Sequence, residues 1–209
     1  MDMDKYIGRL LDNRYEILEM IGTGGMAVVY KARCHRLNRL VAIKILKDEY
    51  TQDEEFRRRF HAESHAVAML SHPNIVSIYD VSTSDDADYI VMELIDGITL
   101  KQYMERKGVM TWKEALHFVC QILKALDHAH SKGIIHRDIK PDNILFLKEN
   151  DGYTLYLTDF GTCFLNDGSE RLTPETMAVG PRMYIAPEYE IGRVEEITEK
   201  GDIFSIGKV

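Results

Sequence analysis

His136-Arg137-Asp138-Ile139-Lys140-Pro141-Asp142-Asn143 and, sixteen residues on from Asn143, Asp159-Phe160-Gly161 are two short polar strings set in apolar surroundings. The first puts an acid (Asp138), a cation (Lys140) and a neutral oxygen donor (Asn143) on one loop. The second adds Asp159 just beyond a strand-like run, Leu155 to Thr158. An acid that accepts a hydroxyl proton, a cation for a transferring phosphate and a carboxylate–carboxamide pair for magnesium are the working parts of phosphoryl transfer. His136-Arg137-Asp138 or Asp159-Phe160-Gly161 alone is a weak signal, but their order and separation make a strong one. An ordinary polar loop leaves the coincidence of all four residues unexplained.

Upstream, Gly22-Thr23-Gly24-Gly25-Met26-Ala27-Val28-Val29 lies between two strand-like runs rather than opening a helix. That excludes a dinucleotide-binding fingerprint and fits a β-hairpin flap over nucleotide phosphates, where glycine lets the backbone come close. Alone, such a hairpin is more often just a turn. Val41-Ala42-Ile43-Lys44 places a lysine on an apolar strand, and Glu63 falls on the apolar stripe of a helix otherwise made of Phe56, Phe60, Val67 and Leu70. A lysine on such a strand is ordinarily a surface residue, and a carboxylate on an inward stripe is costly unless paired. The two make sense together as an ion pair that holds Lys44 against the α- and β-phosphates. Ile21, Val28, Ala42, Leu145 and the segment Glu93 to Ile95 are candidates to enclose an adenine ring, with ordinary core membership an equally good account of the apolar ones.

The 209 residues suit one globular domain or two small lobes, and 45% hydrophobic content is enough for a core. A net charge of -8 argues against nucleic acid or an anionic membrane as the main partner. Cys34, Cys120 and Cys163 are odd in number and have no paired or metal-type spacing, as expected of free thiols in a reducing cytoplasm. No apolar run reaches the length of a membrane span, and Met1 to Lys5 lacks signal-peptide order. His61 and His65 stand one helical turn apart, a metal-compatible spacing with no third ligand in view.

Three runs rich in Val, Ile and Tyr (15–21, 27–33, 40–46) read as strands, and two more candidates follow at 75–81 and 89–94. Thr51-Gln-Asp-Glu54 reads as a capping box opening a helix, and Thr111-Trp-Lys-Glu114 as a second, whose buried stripe is Ala115, Val119, Ile122, Leu126 and Ala129. Gly133 is placed to end that helix. Strands first and helices second give an α+β chain in two lobes.

Together these motifs resemble the eukaryotic-type (Hanks-type) serine/threonine protein kinases, and the first half is especially similar to the bacterial branch that often carries PASTA repeats. The phrases that carry the resemblance are Gly22 to Lys31, Val41 to Lys44, Leu70 to Val76, Ile90 to Glu93, His136 to Asn143 and Ala186-Pro187-Glu188. The resemblance implies a kinase fold with an N-terminal tail at 1–13, an N-lobe at 14–94 and a C-lobe at 98–209. It implies ATP and magnesium as cofactors, with Asp138 as the catalytic acid–base, Lys140, Lys44 and Glu63 beside it, and Asn143 and Asp159 on the metal. The substrates implied are proteins bearing serine or threonine, with a homodimer for autophosphorylation. Met92 maps to the gatekeeper, and His136, Phe160 and Val67 to the regulatory spine. Arg137 implies control by phosphorylation of the segment 162–185, with Thr173 or Thr176 ahead of Ser169 as acceptor.

Two departures stand out. Pro181 replaces the family's threonine in Gly180-Pro181-Arg182-Met183-Tyr184, and the family's C-lobe continues past the point where this chain stops, at Val209. Asp202, on the last helix, maps to the residue that ties down the catalytic loop, while the arginine that normally pairs with Glu188 is absent. The expectation is a fragment of a longer kinase or a truncated one, cytoplasmic, with room for a membrane anchor beyond Val209. Two rival readings are a kinase-like module that binds nucleotide or a partner without catalysis, and a small-molecule phosphotransferase, which has no place for the glycine flap or Ala-Pro-Glu.

Overall fold

The computed structural model describes residues 5–83, 87–150, 152–160, 164–165, 182–190 and 198–209. They divide into two compact units, one of residues 1–68 with 77–95, the other of 69–76 with 96–209.

The first unit is an antiparallel sheet of β1 (Leu10–Leu11), β2 (Tyr15–Thr23), β3 (Ala27–Cys34), β4 (Arg39–Leu46), then α1 (Asp48–Thr51) and α2 (Glu54–Ala68), and finally β5 (Ile78–Thr83) and β6 (Asp88–Met92). The order across the sheet is β1-β2-β3-β4-β6-β5. Branched and aromatic side chains at alternate positions suit a pleated surface with one buried face. Tyr15, Ile17, Tyr30, Ala32, Ile43, Tyr89 and Val91 form that core, together with Tyr6 and Leu11. Leu10 and Leu11, ahead of position 14, are built into the sheet rather than trailing from it: Leu10 pairs with Glu16 and Leu11 with Tyr15.

Thr51 does not open the long helix. Its hydroxyl donates to the carbonyl of Asp48, closing the single turn of α1, and α2 starts at Glu54. A threonine hydroxyl can cap a following turn or close a preceding one, and here the second use wins.

The second unit holds β7 (Ile98–Thr99), α3 (Leu100–Lys107), α4 (Trp112–His130), β8 (Ile134–Ile135), β9 (Ile144–Glu149), β10 (Gly152–Leu157), β11 (Phe164–Leu165), α5 (Pro187–Glu190) and α6 (Glu199–Ile206). Thr99 caps α3 in a reciprocal box with Gln102, and Thr111 caps α4 by accepting the N–H of Glu114 at 3.3 Å. Helix α4 buries Phe118, Ile122, Ala125, Leu126 and Ala129, while Ala115 and Val119 are half-buried. Gly133, at φ +73°, closes its end in the left-handed conformation that glycine adopts without strain.

The strand expected at 75–81 begins three residues later. Ile75 instead bridges Leu157 of β10, Val76 N–H donates to the Leu157 carbonyl, and Leu157 N–H to Asn74. Asn74, 7% exposed, donates its side-chain amide to Leu155 O and Gln121 Oε1. Residues 69–76 thus belong to the second unit although α2 and β5 flank them. Gly97 is required by close approach, because a Cβ there would lie 2.5 Å from the Phe146 carbonyl oxygen. Among the described residues no helix is long and apolar enough to cross a membrane.

Candidate active-site residues

The polar loop of the second unit follows β8 and is fixed from beneath by a buried carboxylate. Asp202 of α6, fully buried, accepts the backbone N–H of His136 (2.9 Å), the N–H of Arg137 (2.8 Å) and the Nε2 of His130 (2.8 Å). Two backbone donors locked at that point let Arg137 hold φ +68°, a left-handed conformation that a residue with a Cβ adopts only under constraint. The His136 ring is pinned in one tautomer. Its Nδ1 accepts the N–H of Asp138 (3.2 Å), so Nε2 carries the hydrogen and donates to Thr158 O (3.0 Å). That ring packs 4.4 Å from Phe160, centroid to centroid.

Asp138 is 8% exposed, and its Oδ2 receives Lys140 Nζ (2.6 Å) and Asn143 Nδ2 (2.8 Å). Asn143 also donates to the Asp138 carbonyl at 2.9 Å. Both amide hydrogens of Asn143 are spent on Asp138, which turns its carboxamide oxygen to whatever cation approaches. Pro141 opens the 3₁₀ turn Pro141–Asn143, its fixed φ suited to the first position of a turn, and Asn143 N–H closes it on Lys140 O at 3.0 Å. Asn143 O then accepts Thr158 N–H at 3.0 Å, which brings Asp159 beside it. Asp159 is exposed and sits at φ +61°. The fold draws Asp138, Lys140, Asn143 and Asp159 onto one loop and the strand end next to it.

In the first unit the β2–β3 turn is Gly24-Gly25-Met26, closed by Gly24 N–H donating to Ala27 O at 2.9 Å. A Cβ on Gly25 would meet nothing within 4 Å, and on Gly24 only Ala27 O at 3.7 Å. Neither glycine is demanded by crowding from the protein itself. Lys47, at the end of β4, ties the turn down twice: its N–H donates to Met26 O (3.0 Å) and its Nζ to Gly25 O (2.7 Å). Lys44 is half-buried on β4, in register between Val29 of β3 and Ile90 of β6. Ala42 pairs with Met92 in the same ladder. Val28 and Ala42 are buried, whereas Ile21 is 48% exposed and so has no core role. Thr23 and Gly24 are exposed and Gly22 half-buried. Glu93 and Ile95 are half-buried, and Glu93 is held by Ser77, whose N–H its carboxylate accepts at 3.4 Å and whose carbonyl takes Glu93 N–H at 2.9 Å. Leu145, half-buried, is in β9 of the second unit.

Glu63 lies on α2, with its side chain outside the described residues, as are Cys163, Ser169, Thr173, Thr176 and Pro181. His61, spaced for a metal with His65, instead bonds Asp88 Oδ1 and Thr83 Oγ1, each at 2.9 Å. Sequence reading passed over Lys47. Lys47 stands three residues after Lys44, and its cationic end was the available signal.

A family model described as the protein kinase domain matches residues 15–209. The chain is 45% identical over 203 residues to a probable serine/threonine-protein kinase of Clostridium perfringens, covering 97% of this chain and 29% of that protein. Identity is also 45% with the serine/threonine-protein kinase PrkC of Bacillus subtilis, over 97% of this chain and 30% of that one. With PknA of Mycobacterium tuberculosis it is 38%, over 99% and 48%. The chain spans less than half the length of these relatives.

Proposed function

The chain belongs to the protein kinase domain family, and from that premise we propose that it is an ATP-dependent serine/threonine kinase, transferring the γ-phosphoryl group to hydroxyls of protein substrates. The observation that carries this reading is the convergence of Lys140 and Asn143 on one oxygen of Asp138. Oδ2 is saturated by those two donors, so Oδ1 is the atom left to accept a substrate hydroxyl proton. The same contact keeps the Lys140 ammonium beside the place where that hydroxyl meets the phosphoryl group, where it offsets the charge that builds in transfer.

The donor set fits magnesium: a carboxamide oxygen from Asn143 and a carboxylate from Asp159 are hard oxygen ligands brought together by the Thr158–Asn143 backbone bond. When bound, the metal would neutralise phosphate charge. In the first unit, Gly24 and Gly25 keep the β2–β3 turn free of side chains where phosphate oxygens would take backbone N–H groups, while Lys44 holds the α- and β-phosphates and Glu63 orients Lys44. Thr23, Met26 and Val29 accompany that flap. In the same unit Ala42, Val28, Ile21, Glu93 and Ile95 would line the base. Phosphorylation of Thr173 or Thr176 and self-association for autophosphorylation belong to the same reading.

The test is intact-mass measurement of the purified chain, with a generic protein acceptor, after incubation with Mg-ATP, beside an Asp138→Asn control. Phosphate gained only with Asp138 present supports the proposal. Equal gain, or none in any chain or acceptor, overturns it.

A further inference from the structure

A buried carboxylate in the first unit lies outside the set above and has no role in the sheet that an apolar residue could not fill. Asp88, the first residue of β6, has a side chain only 3% exposed. Its Oδ2 receives Arg57 Nε at 2.6 Å, and its Oδ1 receives Arg57 Nη2 at 3.2 Å and His61 Nε2 at 2.9 Å. Burial alone would push this carboxyl up, yet the hydrogen bonds from Arg57 and His61 outweigh it and hold the group below its ordinary value. Thr83, the cross-strand partner of Asp88, reaches the same His61 nitrogen at 2.9 Å. Arg57 and His61 are four residues apart on α2, so they share one side of the helix at successive turns. Two attachment points one turn apart fix both the rotation and the height of a helix, where a single point would leave it free to swivel.

The strand that makes this attachment also sets Lys44. Strand β6 pairs with β4 in the register Lys44↔Ile90 and Ile45↔Tyr89. Asp88 is therefore two residues, roughly 7 Å along an extended strand, from the partner of Lys44. Buried ion pairs seldom add net stability over a well-packed apolar group, and their best-attested use is to fix one arrangement among several. One strand here specifies the lysine by its backbone ladder and the helix of Glu63 by its first side chain.

We propose that Asp88 is a positioning residue for phosphoryl transfer, setting α2, through Arg57 and His61, relative to the strand that carries Lys44. The inference rests on the roles given above to Lys44 and Glu63.

The test pairs amide hydrogen exchange with steady-state kinetics on Asp88→Asn, which keeps shape and removes charge, and on Arg57→Gln, which leaves the carboxylate held by His61. Both should speed exchange across residues 54–68 by about tenfold while β2–β4 stay within about twofold, the pattern of local rather than global opening. Both should lower kcat/KM for ATP by about tenfold, since small misplacements of catalytic groups cost rate steeply. The double variant should lose little more than either alone, because the residues act through one contact. Uniformly faster exchange throughout the unit, unchanged α2 exchange, or additive losses would overturn the proposal. Transfer that survives Asp138→Asn would sink the kinase reading. Transfer abolished by Asp138→Asn but unaltered in Asp88→Asn would sink the positioning role alone.

Discussion

Asp202 accepts the N–H of Arg137 at 2.8 Å across 65 residues of chain, and Arg137 is the residue of the polar loop that carries a left-handed backbone. The carboxylate stands in for a strand neighbour, satisfying two donors that the loop's sharp bend takes out of any ladder. Removing it by Asp202→Ala orphans two buried N–H groups at about 1–3 kcal/mol each. Asp202→Asn keeps one acceptor and should cost less. Urea unfolding of the two variants orders them, and equal stability of Asp202→Ala with the parent would contradict this account of the loop.

Asn143 spends its amide on Asp138, and the exchange Asn143→Asp would set a second carboxylate against the first. Repulsion should swing Asp138 away from Lys140 and lower kcat by about 100-fold, the scale of a lost general base. Asn143→Ala, without the repulsion, should raise the magnesium concentration needed for half-maximal rate. A magnesium titration of both variants separates the two effects.

Two glycines should respond in opposite ways. Gly97→Ala forces a Cβ to 2.5 Å from Phe146 O, and such overpacking against backbone costs about 1–3 kcal/mol. Gly25→Ala enters open space, so thermal stability should not change, while KM for ATP should rise if phosphates approach that turn. A Gly25→Ala variant with lowered Tm and parental KM would reverse the assignment.

His72 and His128 stack with ring centroids 5.5 Å apart, each accepting a backbone N–H: His72 Nδ1 from Asn74 at 3.1 Å, His128 Nε2 from Ser71 at 3.3 Å. Burial, then the neighbouring His128 and Lys124, lower the pKa of His72 below its ordinary 6.5. A depressed histidine contributes stability that is fully present above 6.5 and is lost as pH falls through the folded-state pKa. Acidifying from about pH 7 to about pH 5 should therefore lower Tm. In His72→Asn, where a carboxamide oxygen can take the same N–H, the fall should be shallower. An unchanged slope would place the titration elsewhere.

The strands of the first unit were legible because their alternation of Val, Ile and Tyr answers to one buried face, and observed ends differ from the expected by two residues at most for β2, β3 and β4. Ile75 to Ser77 misled because a strand-like tripeptide does not say which backbone it will meet, and Leu157 was the one available. Thr51 misled because a hydroxyl near a helix start can act on either side. Of the candidate site, the contacts among Asp138, Lys140 and Asn143 were readable since the three lie within a few positions of one another. The Asp88 attachment was not, since Asp88 and Arg57 are 31 residues apart and neither looks unusual in its own segment.

Because residues 69–76 are enclosed by the first unit in sequence and by the second in space, no single peptide bond divides this chain into two complete pieces. A cut after residue 95 leaves the carboxyl-terminal piece without Asn74, and so without the side chain that reaches Leu155 and the carbonyl that receives Leu157 N–H. During synthesis the same segment leaves the ribosome early and must wait for β10, some eighty residues behind it, before its hydrogen bonds can close. Fragment expression at the apparent boundary should give an amino-terminal piece with an unpaired, sticky segment at 69–76, whereas adding a synthetic peptide of that sequence to the carboxyl-terminal piece should restore its missing edge.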